Sequence, residues 1–235
     1  LECPTKMLDM VQPFADFDFI LAHKVLGDPE YCNYFKGSSK SKMLDNSVNE
    51  IGQPLGLEEL GKAAELVGCK YIVAPDYPSQ TEKTVGSYIE CVKKFGKDNV
   101  VGVLQGSSMQ EALGCLDYME GMVCIPYDIG SKKEDPPWVM ALRRLVVVLS
   151  IPGDRPIHLL GFTSIDEFTF YSSRGNIVSI DTGVPVMLGL LGKDILDPLE
   201  SKKVATDNIM DNLKLTQQAW TAVIRNIALL RRYLA

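Results

Sequence analysis

Apolar residues recur along this chain at two spacings. Short runs rich in β-branched and aliphatic residues, bounded by Gly, Pro, Asp or Asn, read as strands over Lys6–Val11, Asp16–His23, Lys42–Ser47, Tyr71–Ala74, Val100–Leu104, Met122–Ile125, Ile157–Leu160 and Ile177–Ile180. Between most of them the spacing widens to that of a helix. Asp28-Pro29-Glu30 opens a short helix through Phe35, and Leu57–Gly68 is an apolar-striped helix with glycine at its end. Lys83–Phe95 and Ser108–Met119 follow, the second with serine at its cap. Pro136–Ser150 carries Trp138, Leu142, Leu145 and Leu149 at helical spacing, although its valine-rich tail also suits a strand. Ser164–Ser172 opens with the capping-box pair Ser164 and Glu167, and Asp207–Leu234 is a long amphipathic helix.

Eight strand-like runs alternating with helices predict parallel βα units. The expected fold is α/β, a closed (β/α)8 TIM barrel forming a single domain over residues 1–235, with the C-terminal helix 207–234 packed on the barrel. An open doubly wound sheet is the rival. A barrel gathers the C-terminal ends of its strands on one rim, and these ends carry Asp45, Asp76, Gln105, Asp128, Gly161 and Asp181. The stretch Asn176–Pro185 is the most telling, because an apolar strand there delivers Asp181 into the turn Thr182-Gly183-Val184-Pro185.

Composition narrows the chemistry. Apolar residues make up 46% and charged residues 23% of the 235 positions, ordinary for a globular protein. No run approaches the ~18 apolar residues of a membrane span, and the expected compartment is the cytoplasm. Six scattered cysteines form no C-x-x-C pair and read as structural thiols. A net charge of −6 rules out an overall basic surface, but not a local one. Lys36, Lys40 and Lys42 lie before the Asp45 strand, and Lys132 and Lys133 follow the Asp128 strand. Each cluster reads either as a solvated face or as a phosphate contact.

Only two histidines, His23 and His158, are present, and no metal-ligand spacing or phosphate-cradling Gly-rich loop is found. No metal or other cofactor is expected. Carboxylate pairs without a metal suit displacement at a sugar anomeric carbon, one as nucleophile and the other moving a proton on the leaving group. A metal-free barrel lyase or aldolase is a different class, but it would want a Schiff-base lysine at a strand end, and none is there. Asp45, Asp76 and Asp181 also have plain readings as turn or cap residues, and Gln105 as an ordinary polar residue.

The order of motifs resembles the tRNA-guanine transglycosylase superfamily. LDNS at Leu44–Ser47 lies where that family has Asp-Ser-Gly-Gly-Phe-Gln, and VAPDYP at Val73–Pro78 resembles its Phe-Asp-Glu-Cys-Thr-Pro motif. GVLQGS at Gly102–Ser107 resembles Ile-Val-Gln-Gly-Gly, and HLLGFTSIDEF at His158–Phe168 resembles Leu-Met-Gly-Val-Gly-x-Pro-Glu-Asp. SIDTGVP at Ser179–Pro185 falls where the family's nucleophilic aspartate follows its last strand. The family's C-terminal zinc cluster of cysteines is not matched, and its Gly-Gly-Leu-Ala-Val-Gly loop has become Cys124–Asp128. The resemblance is therefore closest to the compact phage and bacterial DNA 7-deazaguanine transglycosylases (DpdA-like).

That resemblance implies a pentosyltransferase exchanging guanine in DNA for a 7-deazaguanine base, in a bacterial or phage-infected cytoplasm. Transfer RNA is the alternative substrate, and a non-catalytic barrel partner subunit the alternative role. Matching positions make Asp181 the nucleophile at C1′ and Asp45 the acid and base toward the two purines. Asp76 would read the purine N1–H and amino group, with Asn46 beside Asp45, and Gln105 and the Gly106 N–H would hold O6. His158 to Gly161 would form the pocket wall, and Tyr127 or Tyr77 would stack on the base. Lys36, Lys40, Lys42, Lys132 and Lys133 would meet phosphates, a duplex target would be flipped out, and a homodimer is possible.

Overall fold

A computed structural model describes residues 1–130, 135–162, 165–171, 174–196 and 215–234. Among them are strands β1 Asp18–Leu21, β2 Lys42–Asp45, β3 Tyr71–Val73, β4 Val100–Val103, β5 Val123–Pro126, β6 Ile157–Leu160 and β7 Ile177–Ile180. Every strand pairs in parallel with the next, giving one seven-stranded sheet in sequence order. The helices are α1 Leu8–Val11, α2 Ala22–Gly27, α3 Pro29–Gly37, α4 Val48–Ile51, α5 Leu57–Val67, α6 Thr81–Phe95, α7 Met109–Gly114, α8 Pro137–Ser150, α9 Val184–Leu190 and α10 Gln217–Leu234.

Strand side chains alternate between two cores. Phe19, Met43, Val73, Val101, Val103 and Cys124 form a small cluster on the concave side. Their neighbours Ile20, Leu44, Ile72, Val100, Val123, Ile125, Ile157 and Leu159 join the larger core under the helices. Burial on both faces is why these strands read as nearly continuous apolar runs. The sheet curls into a half-barrel, tightly enough that Phe19 of β1 stacks on His158 of β6 with ring centroids 5.3 Å apart.

The closed eight-stranded barrel is not formed. Lys6–Val11, expected as a first strand, is helical: a 3-10 turn over Thr5–Met7 runs into α1. Met7, Leu8 and Val11 are the buried residues, which is the i, i+1, i+4 spacing of a helix rather than the alternation of a strand. Among the described residues the ladder therefore ends at β1 on one side and β7 on the other. The Asp16–His23 run yields a shorter strand, because Ala22 and His23 already belong to α2.

Other boundaries follow local chemistry. Asp28 caps α3 by accepting from the N–H groups of Glu30 and Tyr31. Gly68 ends α5 in the left-handed conformation, φ +63°. The Ser108–Met119 helix shortens to α7 plus a 3-10 turn at Cys115–Asp117. The valine tail of α8 stays helical, with Val147 and Val148 buried on the face that also buries Arg144. Ser164 and Ser172 lie outside the described residues, and Ile165–Phe170 between them is a 3-10 helix. Of the Asp207–Leu234 helix, the described part is α10, which packs on α9 and on that 3-10 helix. Residues 207–214 lie outside the described residues. None of the described helices is long and apolar enough to cross a membrane.

Candidate active site

Parallel pairing puts the C-terminal ends of all seven strands on one edge, and three aspartates converge there. Asp181 directly follows β7 and is buried. Its Oδ1 accepts from the His158 ring Nε2 at 3.0 Å and from the Gly161 N–H at 3.2 Å. The Nδ1 of His158 is 2.8 Å from the Ser179 hydroxyl. This pairing depends on a register shift: Ile157 is opposite Ile177, but His158 is opposite Ser179. Val178 is left out of the ladder and exposed, while Ser179 and Asp181 come to flank one imidazole.

His158 is fully buried, stacked on Phe19 and met edge-on by Phe17 at 5.8 Å. Both ring nitrogens are thus engaged and the ring plane is held by two aromatics. For Asp181, burial opposes ionisation. The hydrogen bond and charge of His158, a hydrogen bond from the Glu2 side chain and the Gly161 N–H outweigh it and hold the carboxyl below its usual range.

Asp45 ends β2 and has the opposite environment. Its Oδ2 accepts the Ser47 N–H at 2.7 Å, a turn closed by Ser47 at φ +65°. Burial and the negative charge of Glu50 on α4, with smaller contributions from Asp181 and Asp76, push its carboxyl well above the usual range. One N–H bond does not offset them. The surroundings of Asp45 favour its protonated form, and those of Asp181 favour its carboxylate.

Asp76 lies beyond β3, almost fully buried. Asn46 donates to its Oδ1 at 2.7 Å, and Gln105 donates to its Oδ2 at 2.6 Å. Burial outweighs these two bonds and leaves its carboxyl raised. Both amide hydrogens of Asn46 are engaged, the second donating to Ala74 O at 2.9 Å, while its oxygen accepts from Val48 N at 3.0 Å and keeps a second lone pair. Gln105 accepts from Ser79 N at 3.3 Å, which leaves its second amide hydrogen. Gly106 sits where a side chain would strike the first turn of α7, with Ala112 N only 2.5 Å from an added Cβ. Gly161 has φ +62° and lies against the Tyr127 ring, whose hydroxyl is pushed up to about 12 by burial and by Asp128. Cys124 lies on the concave floor, and burial together with the charges of Asp181, Asp45 and Asp76 raises its thiol well above the usual range.

The lysines fall elsewhere. Lys42 opens the strand that Asp45 closes, so it belongs to the opposite edge of the sheet, and its ammonium is bonded to Val67 O at 2.7 Å. Lys40 precedes it and is bonded to Gln12 O at 2.5 Å and Ala15 O at 2.6 Å. Lys36 is exposed in the last turn of α3, which leads to that same edge. Lys132 and Lys133 lie outside the described residues. Among the described residues, an exposed cation that does reach the rim is Lys83, in the first turn of α6, 3.7 Å from the centre of the Tyr77 ring.

Four participants carried no signal as isolated residues: Ser179, Glu50, Glu2 and Cys124. Ser179 alone was readable in principle, because it sits two positions before Asp181 and a strand points both to the same side. Among the described residues, no group of three or more His, Cys, Asp or Glu side chains is placed to hold a metal ion. No protein-family model matches the chain, and no curated protein matches it.

Proposed function

We propose that this chain is a base-exchange transglycosylase acting on a polynucleotide, with DNA as the substrate and guanine and a 7-deazaguanine as the exchanged bases. The observation that carries this reading is the pair Asp181 and Asp45: two carboxylates on one rim whose surroundings drive their acidities apart. Two such groups are what an acid-assisted displacement at an anomeric carbon needs. We further infer that the half-barrel is a (β/α)8 architecture in which a helical segment, α1, stands in place of the first strand.

In this mechanism an Asp181 oxygen attacks C1′, and the C1′–N9 bond breaks as the C1′–O bond forms. The Asp45 proton neutralises the departing purine. The incoming base then gives its N9 proton to the Asp45 carboxylate and attacks C1′, restoring the Asp181 carboxylate. His158 keeps the Asp181 oxygen aimed through both steps. Asp76, braced by Asn46 and Gln105, accepts from the purine N1–H and amino group, and the spare Gln105 hydrogen and the Gly106 N–H meet O6. Tyr127, beside Gly161, bounds the space for the ring.

The direct test is exchange of radiolabelled guanine into a DNA duplex and a tRNA offered side by side. Label entering DNA, and falling by at least about 10³-fold in Asp181→Ala, is the expected result. Label entering tRNA alone would retain the chemistry and replace the substrate. No label in either would overturn the reading.

A further inference from the structure

Arg144 on α8 is fully buried beneath the rim, and its guanidinium is shared between a carboxylate and the backbone. Nε and Nη2 grip the two oxygens of Glu167 at 2.7 and 2.8 Å, a bidentate pair, and Tyr171 donates to the same carboxylate at 2.7 Å. Nη1 turns the other way. It reaches the carbonyls of Ile125 at 3.4 Å, Leu160 at 3.0 Å and Gly161 at 2.9 Å, the next-to-last residue of β5, the last of β6 and the turn beyond.

The Leu160 carbonyl and the Gly161 N–H belong to one planar peptide unit. The carbonyl is held by Arg144 and by the Tyr127 N–H at 3.1 Å, and the N–H points at Asp181 Oδ1, 3.2 Å away. With the carbonyl fixed, the N–H has no freedom to swing. Gly161 takes φ +62° at this place, a left-handed conformation that favours glycine. The carbonyl is also polarised by the guanidinium, whose charge Glu167 partly offsets, and a peptide polarised at its oxygen donates more strongly through its nitrogen.

We propose that Arg144 is a positioning residue for Asp181: the Arg144–Glu167–Tyr171 cluster clamps the Leu160–Gly161 peptide and so fixes the N–H that steadies the nucleophile. This rests on the reading of Asp181 as the attacking group. Its own test does not depend on activity. A purely structural cluster would hold β5 and β6 together and leave Asp181 indifferent to its chemistry.

Two variants act in opposite senses. Arg144→Met with Glu167→Leu replaces the pair by apolar groups of similar bulk, an exchange buried ion pairs commonly tolerate. It removes the grip on the peptide, and the Asp181 carboxyl should titrate at higher pH. Glu167→Gln leaves the guanidinium less neutralised, and Asp181 should titrate at lower pH. Carboxyl carbon shifts in 13C-aspartate-labelled protein, assigned with Asp181→Asn, read both directions. In the base-exchange assay the double variant should lose ~10- to 100-fold in kcat with little change in KM, the signature of a misaimed group. A folded variant of either kind whose Asp181 titration matches the parent would overturn the proposal. If the parent exchanges no base, the reaction assigned above falls while the carboxyl titration still decides the clamp.

Discussion

Asp45 and Asp181 are the same residue with opposite surroundings, and their stability effects should have opposite signs. Asp45 titrates above its unfolded value, so its contribution to stability is complete only below the ordinary carboxyl range and is lost as pH rises through the folded value. Asp45→Asn removes that loss. The variant should melt higher than the parent at pH 8, by about 0.5–2 kcal/mol in stability, and the gain should shrink as the pH is lowered. Asp181 titrates below its unfolded value, so its stabilising contribution is present above the ordinary range and disappears as pH falls through the folded value. His158→Phe keeps an aromatic against Phe19 but strips both Asp181 and Ser179 of a partner. It should cost about 1–3 kcal/mol at neutral pH and flatten the acid limb of the melting profile. Equal melting of variant and parent at pH 7 would show that the imidazole holds nothing.

Between elements, α9 packs closely on α10. A Cβ added at Gly189 would lie 2.5 Å from the Val223 Cα and N, backbone that cannot step aside. Asn226 adds to this contact, accepting from Ile195 N at 3.0 Å and donating to Lys193 O at 3.0 Å. Gly189→Val should therefore separate the helices and cost about 1–3 kcal/mol or more, seen as a lower Tm. An unchanged Tm would mean that α10 contributes nothing to the fold. At this scale the sequence was readable where a pattern is long or capped, as in α5 and α6, and failed where it is short. Lys6–Val11 offers six residues that fit either period, and what decides is the burial of Met7, Leu8 and Val11 against the rest of the protein. The pairing of β6 with β7 was equally hidden. A one-residue shift in register aligns His158 with Ser179 and Asp181, and no local signal marks it.

Across the whole molecule, strand direction decides what a residue can take part in. Asp45, Asp76, Gln105 and Asp181 were legible as rim residues because a parallel sheet sends every strand's C-terminal end to one edge. The same rule sends Lys40 and Lys42 to the other edge, where they close backbone carbonyls. Arg144 and Glu167 were not legible, being 23 positions apart and joined only by the packing of α8 behind β5 and β6. With a net charge of −6, the proposed hold on a polynucleotide needs positive charge at the rim, and among the described residues Lys83 above Tyr77 is an exposed lysine there. Polynucleotide affinity falls with salt in proportion to the phosphates neutralised, so each lysine's share can be read from the slope. Lys83→Gln should reduce the slope of log K against log salt by about one and weaken binding without regard to sequence. Lys40→Gln and Lys42→Gln should leave that slope unchanged while lowering Tm, since each removes hydrogen bonds to carbonyls at the far edge. Fluorescence anisotropy of a labelled duplex between 50 and 200 mM salt, roughly the span over which such slopes are read, supplies the measurement. A slope that falls in the Lys40 and Lys42 variants and holds in Lys83→Gln would place the nucleic acid on the opposite edge, away from the three aspartates.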